Sequence, residues 1–168
     1  MASSQPTRWA ALARDTNETK IQLALNLDGG DFPPDTDSRL LDNDDSHASQ
    51  ASKSQKIAVN TGIGFLDHML HALAKHAGWS LALNCKGDLH IDDHHTAEDL
   101  STEMVPHCLQ SFAQGARVTL HVHCLHGDND HHRAESAFKA LAIAVKAATT
   151  RIPGKEGEVP STKGTLSA

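Results

Sequence analysis

The sequence has no long apolar run. No stretch approaches the ~18 consecutive apolar residues of a membrane-spanning helix, so no membrane partner is expected. Basic residues are scarce, 15 against 21 acidic, for a formal net charge of −6. That balance excludes a sequence-independent nucleic-acid binder, which needs a basic face. The start, Met1-Ala-Ser-Ser-Gln-Pro, lacks the apolar core of a secretory signal. Cysteine is limited to Cys85, Cys108 and Cys124, an odd number with no Cys-x-x-Cys. A disulfide framework is therefore not expected, and a reducing, cytoplasmic setting is. Tyrosine is missing and aromatics are 4% of the chain, but 39% of its 168 residues are apolar, enough for one ordinary core or two small ones.

Two features stand out. From Asp28 to Gln55 the chain holds seven Asp against only Arg39 and Lys53. Its Gly-Gly, Pro-Pro and Ser runs read as a mobile acidic surface loop. Histidine is the other: twelve of 13 lie between His68 and His132, and only His47 is outside. Such clustering points to a site.

The histidine-rich region repeats itself. Placing His68 on His107 also brings Leu70 onto Leu109, Ala74 onto Ala113, Ala77 onto Ala116, Leu81 onto Leu120 and Cys85 onto Cys124. A two-residue gap then sets His94-His95-x-x-Glu98 on His131-His132-x-x-Glu135. Duplicated sequence implies duplicated supersecondary structure. In each unit a helix with apolar spacing (Phe65 to Ala77, with Gly78 as its stop) leads into an alternating strand. Trp79 to Cys85 is that strand in the first unit, and Val118 to Cys124 in the second. Cys85 and Cys124 then read as small core residues. Glu135 to Thr150 reads as a helix with Phe138, Leu141, Ala142 and Val145 on one side. Thr19 to Leu27 and Lys56 to Asn60 read as strands paired around the acidic loop. The expected architecture is α+β: a duplicated unit of small antiparallel sheet plus helices, residues 1–100 and 101–168, with the acidic insertion at about 28–55. The second unit lacks its opening strands, and only Asp99 to Thr102 stand where the first unit should continue as a helix. Self-comparison thus predicts an internal shortening between Asp99 and Ser101.

Neighbouring residues on a helix point about 100° apart, so His94 and His95 serve two different ions, as do His131 and His132. Glu98 and Glu135 share a face with either neighbour. With His68 and His107 the set is six imidazoles and two carboxylates, three nitrogens and one oxygen per ion. Open coordination positions suit catalysis, and the donors fit Mn, Fe, Ni, Co or Zn. The bland alternative, two polar helix starts with acidic first turns, does not explain two copies in register. His71, His76, His90, His121, His123 and His126 read as surface or hydrogen-bonded residues, and His47 as loop. Lys139 looks along the helix face of Glu135, toward the metals.

The blocks TGIGFLDHMLHALAKH, GDLHIDDHHTAED, STEMVPHCLQSFAQGARVTLHV, NDHHRAESAFKALA and VPSTKG resemble those of imidazoleglycerol-phosphate dehydratases, in order along the chain. Arg14 to Lys20 is similar to that family's opening strand. The resemblance implies ribosomal-S5-domain-2-like repeats and a cytoplasmic lyase of histidine biosynthesis, dehydrating imidazole glycerol phosphate to imidazole acetol phosphate. It implies two Mn2+ per site on His68, His94, His95, Glu98, His107, His131, His132 and Glu135. It implies Glu18 beside the substrate, with Glu98 and Glu135 counted among the catalytic groups, and Lys139, Ser161 and Lys163 around the phosphate. Holding the imidazole between two cations would favour its imidazolate form, whose electrons expel the neighbouring hydroxyl. It also implies sites built between subunits of a twenty-four-chain shell. Where the family has the rest of a helix and a strand pair carrying phosphate-binding arginines, Asp99-Leu100 runs into Ser101. The expectation is a chain of low stability and little turnover, with a metal-binding, catalytically impaired variant as the alternative reading.

Overall fold

The computed structural model describes residues 8–17, 19–34, 36–37, 40, 48–87 and 104–154. Its elements run β1 (Trp9–Asp15), β2 (Thr19–Asn26), β3 (Ala48–Ala51), β4 (Lys56–Asn60), α1 (Gly64–Ala77), β5 (Ser80–Gly87), α2 (Met104–Ala116) and α3 (Asp130–Thr149). The α+β class follows directly. The five strands form one sheet in the order β1-β2-β5-β4-β3.

Two expectations about the sheet are corrected. Strands β2 and β4 do not pair with each other, because β5 lies between them, antiparallel to β2 and parallel to β4. The sheet is therefore mixed. Parallel neighbours need a crossover, and α1 supplies it between β4 and β5. Alternation along β5 then serves both faces. Leu81 joins Ile57, Val59 and Ala74 under α1, while Ala82 joins Ala24, Leu40 and Phe32 on the other side.

The stretch 28–55, expected as a mobile loop, is tied down at several described points. It contains β3, paired antiparallel to β4. Gly30 bridges Gln55. The Gln55 side chain donates to the carbonyls of Ala74 (2.7 Å) and Trp79 (2.8 Å), fastening the loop's end to the end of α1. Leu40 is buried. One apolar residue and one amide anchor what composition alone reads as solvent-facing chain.

Helix α1 ends as its glycine predicts. Gly78 has φ 76°, its N–H donates to Lys75 O, and Trp79 N–H donates to Ala74 O. Thirty-nine residues on, α2 ends in the same way: Arg117 has φ 55°, its N–H donates to Gln114 O, and Val118 N–H donates to Ala113 O. Helix α3 packs across α1 through Ala134, Phe138, Leu141 and Ala142, which meet Met69, Leu73, Ala77 and Trp79 in the main core. Helix α3 begins at Asp130, a turn earlier than the apolar pattern indicated, because Asn129 caps it by accepting from His132 N–H.

The second strand expectation also fails. Val118 to Cys124 is not a strand, and apart from Leu120, which is partly buried, its residues are exposed, Cys124 included. Alternation makes a strand only where a neighbour supplies ladder hydrogen bonds, and among the described residues this segment has none. Helix α2, with an apolar face of its own, has no fully buried residue.

Candidate metal centre

The site is assembled where the second turn of α1 meets the first turns of α3. Met69 and Phe138 anchor that contact from below, so His68, about 100° round α1 from Met69, is held at the rim beside α3. Adjacent to it in sequence, Asp67 is fully buried. Its Oδ1 accepts from Thr61 N–H (2.7 Å) and the Thr61 hydroxyl (2.6 Å), stitching the loop before α1 onto the helix's first turn. Asp67 and Thr61 escaped sequence reasoning because their six-residue separation is not that of a capping box.

His68, His131 and Glu135 bring one donor atom each to within 4.8 Å of one another. His68 Nε2 stands 3.5 Å from Glu135 Oε1. The His68 and His131 rings are stacked with centroids 5.7 Å apart, and Phe65 presents its ring edgewise to His131 at 5.3 Å. His132 diverges from His131: consecutive helical positions point about 100° apart, and the two ring planes are 88° apart. Its Nδ1 lies 4.0 Å from the second oxygen, Glu135 Oε2. One carboxylate thus faces imidazoles on both sides. Lys139, one turn along α3, places its Nζ 2.7 Å from Glu135 Oε1. That hydrogen bond, aided by the nearby imidazoles, holds the Glu135 carboxyl below its ordinary range against the opposing effect of burial. Partial burial, with Lys75 and His68 nearby, lowers His71 and favours its neutral form.

Of the residues expected to form the site, His68, His131, His132, Glu135 and Lys139 are brought together. His107 is exposed on α2 and is not part of the three-donor group. Glu18, His94, His95, Glu98, Ser161 and Lys163 lie outside the described residues. The donor set present, two imidazoles and a carboxylate with no thiolate, fits a divalent ion such as manganese.

A relative from Neurospora crassa, called imidazoleglycerol-phosphate dehydratase, is 58% identical over 228 aligned residues, covering 99% of this chain and 100% of its own. The chain belongs to the imidazoleglycerol-phosphate dehydratase family. Dehydratases of that name from Pyricularia oryzae (54% identical, 95% of this chain, 98% of its own) and Trichoderma harzianum (56%, 87% and 99%) agree. The profile of the dehydratase family matches in two pieces, residues 61–102 and 98–145. They meet at 98–102, where self-comparison locates the missing helix and strand pair. The alignment is also longer than the chain: 228 positions against 168 residues leave at least 60 positions of the Neurospora dehydratase facing nothing in this chain.

Proposed function

We propose that this dehydratase-family chain carries the metal centre for dehydrating imidazole glycerol phosphate to imidazole acetol phosphate in histidine biosynthesis, in a form whose turnover is impaired. The observation that carries the site assignment is the three-donor group of His68, His131 and Glu135, drawn from two helices of a chain 58% identical to a named dehydratase. Two manganese ions would be held by His68, His94, His95, Glu98, His107, His131, His132 and Glu135. Bound there, manganese supplies Lewis acidity and a template for the imidazole ring.

The chain's own groups have separate tasks. Glu135 faces His68 and His131 with one oxygen and His132 with the other, so it fixes both imidazole sets relative to each other. Lys139 neutralises that carboxylate and would turn to the substrate phosphate when it binds, joined by Ser161 and Lys163 of the tail. Glu18 is the proposed proton-moving group beside the substrate, the role a positioned carboxylate serves, with Glu98 and Glu135 as the other catalytic carboxylates. The expected setting is the cytoplasm; among the described residues no helix is long and apolar enough to cross a membrane. The family's twenty-four-chain shell is not proposed for this shortened form.

Impairment is favoured by a specific observation: at least 60 aligned positions have no counterpart here, and among the described residues the segment after α2 has no strand neighbours. Misplacement of positioning groups by about 1 Å can cost on the order of a hundredfold in rate. The test is manganese binding by electron paramagnetic resonance together with product formation from imidazole glycerol phosphate, with the Neurospora dehydratase alongside. The expected result is bound manganese that His68→Ala weakens, and turnover at least ~100-fold below the complete enzyme. A chain that binds no manganese overturns the site, and full turnover overturns the impairment.

A further inference from the structure

The segment Val118 to Leu125 is a strand in all but its partners. It leaves α2 through the same left-handed cap by which β5 leaves α1, hydrogen bond for hydrogen bond. In the self-alignment it stands on β5, which is paired on both edges. Here both edges are unpaired among the described residues, and apolar side chains are left in solvent: Val118 is 49% exposed, Val122 43% and Leu125 82%. Beneath it lies an open groove of about 660 Å³, lined by Val105, Leu109 and Ala113 of α2, Ala134 of α3, and Leu120 and Val122 of the segment itself. Unpaired apolar edges recruit other strands.

We infer that this edge pairs antiparallel with the same segment of a second copy of the chain, making a dimer through residues 118–125. Three observations select a second copy. Each molecule carries the identical deficit, and a two-fold axis, which makes the segments antiparallel, relieves both at once. Alternation puts Val118, Leu120, Val122 and Cys124 on one side of the segment, so pairing offers an apolar row to each groove. Arg117 to His126 contains no carboxylate although the chain carries a net −6, and Asp130 of the groove lining is paired with Arg133 at 2.8 Å, so two acidic molecules meet here with little repulsion. The edges of the five-stranded sheet are less suited: β3 is only four residues long and has no large apolar residue, and β1 contains Arg14 and Asp15 and bears Trp9 and Leu12 as its only large apolar residues. The dimer depends on neither metal nor turnover.

The test is the mass of the full chain by light scattering across a dilution series, with Val122→Pro and Leu12→Lys variants. The expected result is twice the 18.0 kDa of one chain. Val122→Pro should weaken association about tenfold or more, since proline removes a ladder donor and opposes pairing. Leu12→Lys, on the β1 edge, should leave it unchanged. A synthetic peptide of residues 117–126 should dissociate the parent dimer where a scrambled peptide does not, which keeps the test decisive if the proline variant does not fold. A single-chain mass for the parent, a larger closed shell, association that survives Val122→Pro, or a peptide without effect would each overturn the inference.

Discussion

Manganese should stabilise the folded chain, because its donors come from two helices that only folding brings together. His68 sits on α1, while His131 and Glu135 sit on α3, more than sixty positions later. In the unfolded chain those atoms are dispersed, so a bound ion adds RT ln(1 + [Mn]/Kd) to the folding free energy, about 2.7 kcal/mol at a hundredfold excess over Kd. Each further tenfold of free manganese should add about 1.4 kcal/mol. For a domain of this size that excess corresponds to a rise in Tm of roughly 5–10 °C. Weak binding by histidines of the unfolded chain subtracts from the gain without changing its sign. The assay is urea or thermal unfolding at increasing manganese, with His68→Ala and Glu135→Gln beside the parent. Both residues are partly exposed and rest on the rim of the contact rather than in its core. Without metal, each variant should therefore differ from the parent by less than about 1 kcal/mol. Both should lose most of the manganese dependence. A parent whose midpoint ignores manganese, or variants that respond as the parent does, would refute the two-helix site.

The remaining expectations concern the scaffold. Phe138→Ala, at a side chain 3% exposed between α1 and α3, should cost about 3–5 kcal/mol in urea unfolding, whereas Ile143→Ala on the exposed side of α3 should cost under ~1 kcal/mol; equal losses would contradict the packing. Arg117→Gly should stabilise by about 1 kcal/mol, because a side chain at φ 55° pays a left-handed penalty that glycine escapes, and a lower Tm would count against that cap. Asp28 is held below the ordinary carboxylate range by hydrogen bonds from the Arg8 side chain and backbone. A depressed carboxylate stabilises above its unfolded pKa, and the contribution fades as pH falls through the lower folded value. Asp28→Asn should thus be less stable than the parent at neutral pH by up to ~1 kcal/mol, with the gap closing below about pH 3; a gap that widens on acidification would reverse the sign of this argument.

The sequence made local structure legible where a single segment contains its own cause. Apolar spacing and Gly78 define α1 to within a residue, and the Asn129 cap lies one turn before the point where the apolar pattern of α3 begins. Four members of the candidate site, His131, His132, Glu135 and Lys139, were identifiable because helical spacing sets their mutual directions, and His68, on another helix, because the repeat sets it on His107. Sheet order was not legible. Nothing within β2 or β4 says that β5 will come between them, since that depends on where α1 returns the chain. β3 and Leu40 were hidden inside an acidic stretch because their order is imposed by β4 and by β2 and β5, not by their own composition. Asp67 was missed for a related reason: its hydrogen bonds run to a residue outside its helix.

The one strand that failed to form shows the same dependence from the other side. Val118 to Cys124 has the alternation of a strand and leaves its helix as β5 does, yet among the described residues it has no ladder. What it lacks, among the described residues, is not propensity but neighbours. Helix α2 carries His107. His107 is the expected ligand that stays apart from the described three-donor group, on a helix with no fully buried residue. The half of the site built by α1 and α3 rests on a closed core. The half that depends on α2 rests on a helix with no closed core of its own among the described residues. Metal affinity should therefore survive the shortening better than turnover does, since three donors suffice to hold an ion but positioning a substrate requires both halves.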